Sequence, residues 1–363
     1  MKDDSGSRPT ASRGKADMDE SVEIGQRELE LFRDLLIRFQ VFVREHVIES
    51  RERESAERLG EIAAVTEADT IYRIDRLTEK GVLDWFLAEW PRDWPAELVM
   101  EGIEDSDTII VPTKATPRLK VIIDPIDGTR ELIHDKRSAW VLTGVAPYRG
   151  DLTGIGDLLL AVMTEIPTAR QWRSDQVSGI RGAGPRGVRA RAYDLIRGGD
   201  HAIELRPSTA RGFDHGFASF ARFFPEGKGL LASMEEAFWQ AVGQSTGEIP
   251  TVFDDQYIST GGQIYELLAG RDRMVVDFRP LALKKQGLAK GLVCHPYDIC
   301  TALLLEEVGG VVMEPDGGSL KSVLNTTAPV SWMGFASRDL ADLALPVIRH
   351  LIPRFFGPGP PPD

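Results

Sequence analysis

Two aspartates that follow an apolar run are the residues of this chain best suited to chemistry. Asp124 and Asp127 come directly after three aliphatic residues and are followed by Gly128 and Thr129. Pro125, between the aspartates, fixes its own φ angle and favours extended geometry in the residue before it. Gly128 tolerates the backbone angles that a tight turn requires. Both carboxylates can therefore face one position.

Two carboxylates this close repel each other unless a cation lies between them, and hard oxygen ligands suit Mg²⁺ better than zinc or copper. Backbone N–H groups at Gly128 and Thr129 can receive phosphate oxygens, as turn amides do. The segment therefore indicates a magnesium site that holds a phosphate. The alternative is a solvated turn, because Asp, Pro and Gly are common turn residues.

The hexapeptide Asp124–Thr129 resembles the signature of the inositol monophosphatase superfamily of Mg²⁺-dependent, often Li⁺-sensitive phosphatases. The resemblance runs from about residue 69 to residue 310. It implies an α+β fold, a layered α/β/α/β/α sandwich of the inositol monophosphatase and fructose-1,6-bisphosphatase type, with the site between two lobes. It also implies two or three Mg²⁺ ions, held by Glu101, Asp124, Asp127, Asp298 and the carbonyl of Ile126.

Two acids upstream of the hexapeptide extend this resemblance. Val65–Asp69 is similar to the superfamily's Val-Thr-x-x-Asp segment, so Asp69 is expected near the metals and the attacking water. Without the resemblance, Thr66 and Asp69 are equally suited to cap a helix. Glu101 ends an apolar run where the superfamily places a metal-binding glutamate. A glycine follows where a second glutamate is usual, so Glu104 remains a rival ligand.

A third acid lies downstream, where Tyr297-Asp298 resembles a Trp-Asp pair at the start of a helix that ends in Gly-Gly. Asp298 is a good N-cap for the apolar helix that follows, and Gly309 provides a stop before a strand at 311–313. The resemblance makes Asp298 a metal ligand. The alternative is a plain N-cap.

Two weaker similarities concern the substrate. Ser259–Gln263 resembles a small-residue loop near the superfamily's substrate pocket, which makes Gly261 and Gly262 candidate substrate contacts. Asp277 lies where some members place an acid on the substrate hydroxyls. The alternatives are a flexible segment before a helix for the loop and a surface acid for Asp277.

Both helices and strands are predicted to position these residues. Helical spacing of apolar residues predicts an amphipathic helix over 28–49, whose stripe is either core or a dimer face. A second helix is predicted over 70–89, with strands near Leu98, near Val121 and over 139–145. The absence of a regular βαβ cadence favours layered α+β lobes over a dinucleotide fold.

Four regions are expected along the chain: a disordered leader at 1–22, an N-terminal lobe with the metal motifs at 23–190, a C-terminal lobe with the Asp298 motif and substrate-facing loops at 191–353, and a Pro/Gly-rich tail at 354–363. The 363 residues are 42% hydrophobic and 27% charged, enough for a substantial core. No segment predicts a membrane span. Two cysteines are too few for a disulfide framework, so a cytoplasmic protein is expected.

The function expected from the resemblance is hydrolysis of a small phosphate monoester, an inositol or sugar phosphate, by metal-activated water. Asp69, Glu101 and Thr129 would orient or deprotonate that water, and Gly128 with Thr129 would bind the phosphate. A net charge of −13 argues against nucleic-acid polymers as partners, and a homodimer is expected from the resemblance alone. Two alternatives stay open: a nucleotide 3′-phosphatase acting on phosphoadenosine compounds, and a degraded member that binds metal or phosphate as a regulatory protein.

Overall fold

The computed structural model describes residues 24–65, 70–103, 108–243, 249–288 and 291–359. The predicted leader at 1–22 lies outside these ranges, as do Asp69 and Glu104. None of the helices in the described ranges is long and apolar enough to cross a membrane.

Ten α-helices lie in the described part of the chain. The predicted helix over 28–49 is confirmed and extends by a few residues at each end. Its apolar stripe, which includes Phe32, Leu36 and Phe39, is buried against the main sheet and is therefore core. The helices are α1 (Gln26–Arg53), α2 (Ala56–Leu59), α3 (Arg73–Glu89), α4 (Thr129–Ile133), α5 (Lys228–Ala241), α6 (Thr260–Leu268), α7 (Arg279–Lys285), α8 (Pro296–Ile299), α9 (Ala302–Glu307) and α10 (Arg338–Phe356).

The strands of the described residues form three sheets. A two-stranded sheet pairs β1 with β2, an eight-stranded sheet has the order β10-β9-β8-β7-β6-β5-β3-β4, and a five-stranded sheet has the order β12-β11-β13-β15-β14. The strands are β1 (Ile62–Val65), β2 (Thr70–Tyr72), β3 (Ala96–Met100), β4 (Ile109–Val111), β5 (Leu119–Asp127), β6 (Ala139–Pro147), β7 (Leu160–Ile166), β8 (Arg173–Ile180), β9 (Arg189–Asp194), β10 (Asp200–Ile203), β11 (Gly216–Phe220), β12 (Val252–Phe253), β13 (Asp272–Asp277), β14 (Val311–Met313) and β15 (Trp332–Phe335).

The helices and the two larger sheets stack in five layers. Helices α1 and α3 cover one face of the eight-stranded sheet, and α6, α8 and α9 cover the other. Of these middle helices, α6 and α9 also contact the five-stranded sheet, whose far face carries α5 and α10. Each sheet buries apolar side chains on both faces, which requires helices on both sides. The predicted α/β/α/β/α sandwich is confirmed.

The second predicted helix begins later than expected. Thr70–Tyr72 is a strand that pairs with β1, and α3 starts at Arg73. The β-branched and aromatic residues at 70–72 suit a strand. The Tyr72 backbone N–H donates to Asp75 Oδ2 at 2.8 Å, which marks Tyr72 as the cap. The prediction of helix over 70–72 is therefore wrong.

The eight-stranded sheet continues past residue 190, where the sequence analysis places the change of lobe. Strands β9 and β10 extend the sheet from β8 by antiparallel pairing, and the last strand of this sheet in sequence ends at Ile203. At the other end, α10 continues to Phe356, inside the region predicted as tail.

Strand β5 is the element that positions the site. It lies inside the eight-stranded sheet, parallel to β3 and antiparallel to β6, and all nine of its residues are buried. A strand buried on both faces reads as a continuous apolar run, which explains the sequence before Asp124. The carboxyl end of β5 therefore delivers its aspartates into the interior between the layers.

Candidate metal and phosphate site

A bulge at the end of β5 brings its two aspartates to one cleft. Asp124 pairs with Leu142 on β6 but Asp127 pairs with Trp140, so three steps on β5 match two on its partner. The Ile126 backbone N–H donates to Asp124 Oδ1 at 3.0 Å and fixes that carboxylate. Both aspartates are buried. The tight turn predicted over the two aspartates is instead a bulged end of the strand, and the alternative of a solvated turn is wrong because both side chains are buried.

Gly128 allows the chain to turn from β5 into α4. Its φ angle is +100°, in the left-handed region, and a Cβ there would lie 3.2 Å from the Ser259 Cβ. Thr129 then begins the helix, and its hydroxyl lies 2.7 Å from the Ile126 carbonyl oxygen. The turn therefore needs a glycine for both its conformation and its close packing.

Asp298 reaches the same cleft from α8, which packs against β5. It is the third residue of that helix, and its Oδ2 accepts a hydrogen bond from the His295 backbone N–H at 2.5 Å. His295 is therefore the cap, and the prediction that Asp298 is the N-cap is wrong. Pro296 explains the shift, because proline is favoured at the first helical position. The predicted strand at 311–313 is confirmed as β14.

Three carboxylates meet in this cleft, since one oxygen each of Asp124, Asp127 and Asp298 lies within 4.8 Å of the others. Glu101 lines the same cleft and is anchored by its backbone N–H, which donates to the Ile123 carbonyl at 3.2 Å. Burial, followed by the charges of Glu101, Asp127 and Asp298, raises the pKa of Asp124 well above its usual value. A cation bound between these carboxylates would stabilise the ionised form of Asp124.

Asp127 is held by the first turn of α6. Its carboxylate accepts hydrogen bonds from the Ser259 hydroxyl at 2.8 Å and from the backbone N–H groups of Thr260 and Gly261 at 3.3 Å and 2.5 Å. Burial raises the pKa of Asp127 to about 7, and these hydrogen bonds oppose the rise. Ser259 also accepts from the Gly262 N–H at 2.9 Å, so one side chain caps α6 and orients a candidate ligand.

The two predicted substrate glycines are buried in that turn. A Cβ on Gly261 would lie 2.5 Å from a Leu142 methyl group and 3.0 Å from Asp127 Oδ2, and a Cβ on Gly262 would overlap the Tyr257 ring. The alternative of a flexible segment is wrong, because this segment is a packed helix start. Contact of Gly261 or Gly262 with a substrate stays a prediction.

Asp75 is a site residue that the sequence analysis missed. The Thr129 hydroxyl lies 3.1 Å from Asp75 Oδ1, and Asp75 lines the cleft that contains the three aspartates. Its signal in the sequence was an acid in the first turn of an amphipathic helix. That signal was hidden because the helix was predicted to start at residue 70.

Asp277 is fully buried, so the alternative of a surface acid is wrong. Both of its oxygens accept hydrogen bonds from Arg279, Oδ1 from Nε at 2.9 Å and Oδ2 from Nη2 at 2.6 Å. Arg279 lines the cleft, whereas Asp277 lies behind it. The contact predicted between Asp277 and substrate hydroxyls stays a prediction.

The donor set of the cleft fits Mg²⁺. The side chains that converge are carboxylates, and the Ile126 residue between the two aspartates of β5 also lines the cleft. Oxygen donors from carboxylates and carbonyls are the ligands that Mg²⁺ takes in proteins, whereas zinc and copper sites draw on nitrogen and sulfur. The geometry is therefore that of a candidate magnesium centre with a hydroxyl and turn amides beside it.

No protein-family model matches this sequence, and no curated protein sequence matches it either. Solved structures do match. The fructose-1,6-bisphosphatase of Leishmania major is 14% identical, with a TM-score of 0.63 over 87% of this chain and 93% of that one. The chain has the fold of these proteins. The extragenic suppressor protein SuhB of Bartonella henselae (15%, TM-score 0.59, 88% and 98% covered) and the IMPase of Thermotoga maritima (16%, 0.55, 88% and 98%) share it too.

The resemblance stated from the hexapeptide is thereby confirmed at the level of structure. The similar structures are those of inositol monophosphatases and fructose-1,6-bisphosphatases, and each match covers at least 87% of this chain and at least 93% of the other. At identities of 14–16% the likeness establishes the fold, so the activity has to be argued from the site.

Proposed function

We propose that this protein is a Mg²⁺-dependent phosphatase that hydrolyses small phosphate monoesters. The observation that carries the proposal is the convergence of two buried aspartates from β5 and the half-buried Asp298 from α8 within 4.8 Å, beside a threonine at the start of α4. Inositol and sugar phosphates are the substrates that the resemblance suggests, and the similar structures include a fructose-1,6-bisphosphatase and an IMPase.

The metal ligands in this proposal are Glu101, Asp124, Asp127, Asp298 and the carbonyl of Ile126. Bound Mg²⁺ supplies water activation and charge neutralisation for the phosphate. The remaining chemistry is orientation, because phosphoryl transfer needs little else from the protein.

The chain's own part in that orientation falls to Thr129 and Asp75. The Thr129 hydroxyl lies within hydrogen-bond reach of Asp75 and of the Ile126 carbonyl, so its oxygen is held in a fixed position. Because the Thr129 hydroxyl donates its hydrogen to one of these two acceptors, its oxygen can accept a hydrogen bond from the attacking water. The backbone N–H groups of Gly128 and Thr129 are proposed to hold the phosphate. The role predicted for Asp69 is thus assigned to Asp75 in this proposal.

The test is phosphate release from inositol, sugar, glycerol and nucleoside phosphates, with Mg²⁺ and with a chelator. Asp127→Asn is compared with Asp339→Asn, a control on α10 that lies outside the cleft. We expect Mg²⁺-dependent release in the parent and the control, and at least a hundredfold loss in Asp127→Asn with the circular dichroism spectrum unchanged.

Retained Mg²⁺-dependent release in Asp127→Asn would overturn the assignment. If no ester releases phosphate while the protein still binds Mg²⁺, the regulatory metal-binding alternative is favoured instead.

A further inference from the structure

A second cavity lies beside strands β3 and β5, apart from the metal cleft. Its volume is about 380 Å³, a size typical of small-molecule sites. Among the described residues, none lines both this cavity and the metal cleft. Lys120, which lines the cavity, precedes Asp124 by four residues on β5, a separation of about 13 Å along the strand. The cavity is therefore a separate candidate site.

A buried ion pair forms part of the cavity wall. Lys120 interrupts an otherwise apolar run at the start of β5, from Leu119 to Ile123, and its side chain is only 4% exposed. Its Nζ lies 2.7 Å from Oε1 of Glu97, the residue beside it in the parallel register of β3. In a dry interior such a pair often contributes no more to stability than two apolar residues would. At the wall of a cavity, the same pair can bind a polar ligand.

Lys120 and Asn325 offer hydrogen-bond donors to the cavity. The Lys120 ammonium has three N–H groups, and Glu97 is its only ion-pair partner among the residues that the structure describes. Asn325 Oδ1 accepts from the backbone N–H groups of Thr327 and Ala328 at 3.3 Å and 2.8 Å, so the Nδ2 group is left to donate elsewhere. Both side chains line the cavity. An ammonium and an amide N–H group together match a carboxylate.

Two carboxylates provide acceptors in the same cavity, at Glu97 and Asp151. Both act on Tyr148, because burial and then the Glu97 charge raise the pKa of its phenol, and Asp151 shifts that pKa in the same direction. The Tyr148 ring centroid lies 5.9 Å from Lys120 Nζ. Glu97, Asp151 and Lys120 together carry one net negative charge. A ligand that places an ammonium group beside these acids is therefore favoured over a purely anionic one.

Part of the wall is apolar, since Val99, Val323 and Leu324 also line the cavity. The Leu324 backbone N–H donates to the Thr153 carbonyl at 2.8 Å, and Val323 forms a β-bridge with Gly154, so this segment is held in place. A hydrocarbon side chain can pack here without leaving a polar group of its own unpaired.

We propose that this cavity binds a free α-amino acid with an apolar side chain. The carboxylate of the amino acid accepts hydrogen bonds from Lys120 and Asn325, and its ammonium donates to Glu97 and Asp151. Its side chain packs on Val99 and the other apolar residues of the wall. A zwitterion satisfies both sets of polar groups and leaves the net charge of the cavity unchanged, whereas a plain acid or a plain amine satisfies only one set. The inference does not depend on the proposed phosphatase function.

The experiment is calorimetric titration of the full chain with L-valine, L-leucine, L-methionine and L-phenylalanine. The amino acid that binds most tightly is then compared with the acid that lacks its amino group and the amine that lacks its carboxyl group. For L-leucine these compounds are 4-methylpentanoate and 3-methylbutylamine.

Two variants test the contacts with the carboxylate of the ligand. Asn325→Asp keeps Oδ1 for the two backbone N–H groups and replaces the Nδ2 donors with an acceptor, and Lys120→Met removes the ammonium. Gln286→Glu is the matched control, because it makes the same amide-to-carboxylate change at an exposed residue after α7, outside the cavity.

We expect at least one of the four amino acids to bind, with one molecule per chain. Removal of either charge from that ligand should weaken binding by about tenfold or more, because charge-assisted hydrogen bonds are lost. Asn325→Asp and Lys120→Met should each weaken binding of the amino acid by about tenfold or more for the same reason. Gln286→Glu should leave it unchanged.

Failure of all four amino acids to bind would overturn the inference. Equally tight binding of the matched acid or amine would overturn it too, as would an affinity that Asn325→Asp lowers no more than Gln286→Glu does. Circular dichroism first checks that each variant is folded. If Lys120→Met does not fold, Asn325→Asp decides the outcome, because it keeps the backbone contacts of Asn325. Each of these results leaves the phosphatase proposal unaffected.

Discussion

Replacing Ser259 by alanine tests whether this residue contributes to metal binding as well as to the stability of the fold. The Ser259 hydroxyl donates to Asp127 and accepts from the Gly262 N–H, so one oxygen serves a candidate metal ligand and the cap of α6. Ser259 is buried, and water cannot easily replace it. The variant Ser259→Ala removes both hydrogen bonds at once.

The expected size of each effect follows from these two bonds. Loss of an N-cap serine costs about 1 kcal/mol of the free energy of unfolding. Loss of a partner that orients a metal-binding carboxylate lowers metal affinity by roughly tenfold or more. The hydroxyl is also one of the groups that oppose the rise in the pKa of Asp127, so its loss makes that carboxylate harder to ionise.

The assay pairs calorimetric titration with Mg²⁺ and urea unfolding of the metal-free protein. The control is Ser337→Ala, since Ser337 caps α10 by accepting from the Leu340 N–H and lies outside the cleft. Both variants should lose about 1 kcal/mol of stability, and Ser259→Ala alone should lose Mg²⁺ affinity. Unchanged Mg²⁺ affinity in Ser259→Ala, or an equal loss of Mg²⁺ affinity in Ser259→Ala and Ser337→Ala, would refute this account of Asp127.

Two further predictions concern buried charges other than the candidate metal ligands. Arg279→Met should cost about 3 kcal/mol of the free energy of unfolding, because it leaves the Asp277 carboxylate buried without its partner. In urea unfolding, the double variant that also carries Asp277→Asn should recover part of that loss. A smaller loss in the single variant than in the double variant would contradict this prediction. Asp272 gives a pH dependence: burial, with the charges of Glu266 and Asp255, raises its pKa to about 7. The unfolded carboxyl loses its proton near pH 4 while the folded one keeps it, so stability falls as the pH rises between these values. Between pH 5 and pH 7 the free energy of unfolding of Asp272→Asn should therefore fall by roughly 2 kcal/mol less than that of the parent. The same fall in both proteins, measured by urea unfolding at the two pH values, would contradict this prediction.

The parts of the site that the sequence predicted are those set by local chain geometry. The segment from Asp124 to Thr129 contains its own proline, glycine and hydroxyl, and the preceding apolar run predicts a buried strand. The long helix α1 was predictable for the same reason, since its apolar spacing is continuous over several turns. In both cases the deciding residues are neighbours in sequence.

The parts that were missed depend on contacts between distant segments. Ser259 and Gly261 lie more than 130 residues from the Asp127 carboxylate that they hold, and Asp75 lies 54 residues from Thr129. No local pattern distinguishes such a serine or aspartate from an ordinary helix cap. The Asp277–Arg279 pair is near in sequence, but its burial depends on the packing of α7 against α5 and α10, which are distant in sequence.

Two boundary errors have a common cause. Both helix starts were predicted from the capping preference of polar or acidic side chains. In the structure, constraints on the backbone determine where each helix begins. Tyr72 is held in an extended conformation by pairing with β1, and Pro296 fixes the first residue of α8. Strand pairing and the proline ring outweighed the capping preference of a nearby side chain.

The central claim is that Asp124, Asp127 and Asp298 together hold a divalent metal. The most direct measurement is anomalous diffraction from crystals soaked in Mn²⁺, which takes the same oxygen ligands as Mg²⁺. The account predicts an anomalous peak between these three carboxylates, at about 2.0–2.2 Å from oxygens of each. Well-ordered carboxylates with no peak between them, at a Mn²⁺ concentration that saturates binding in solution, would contradict it.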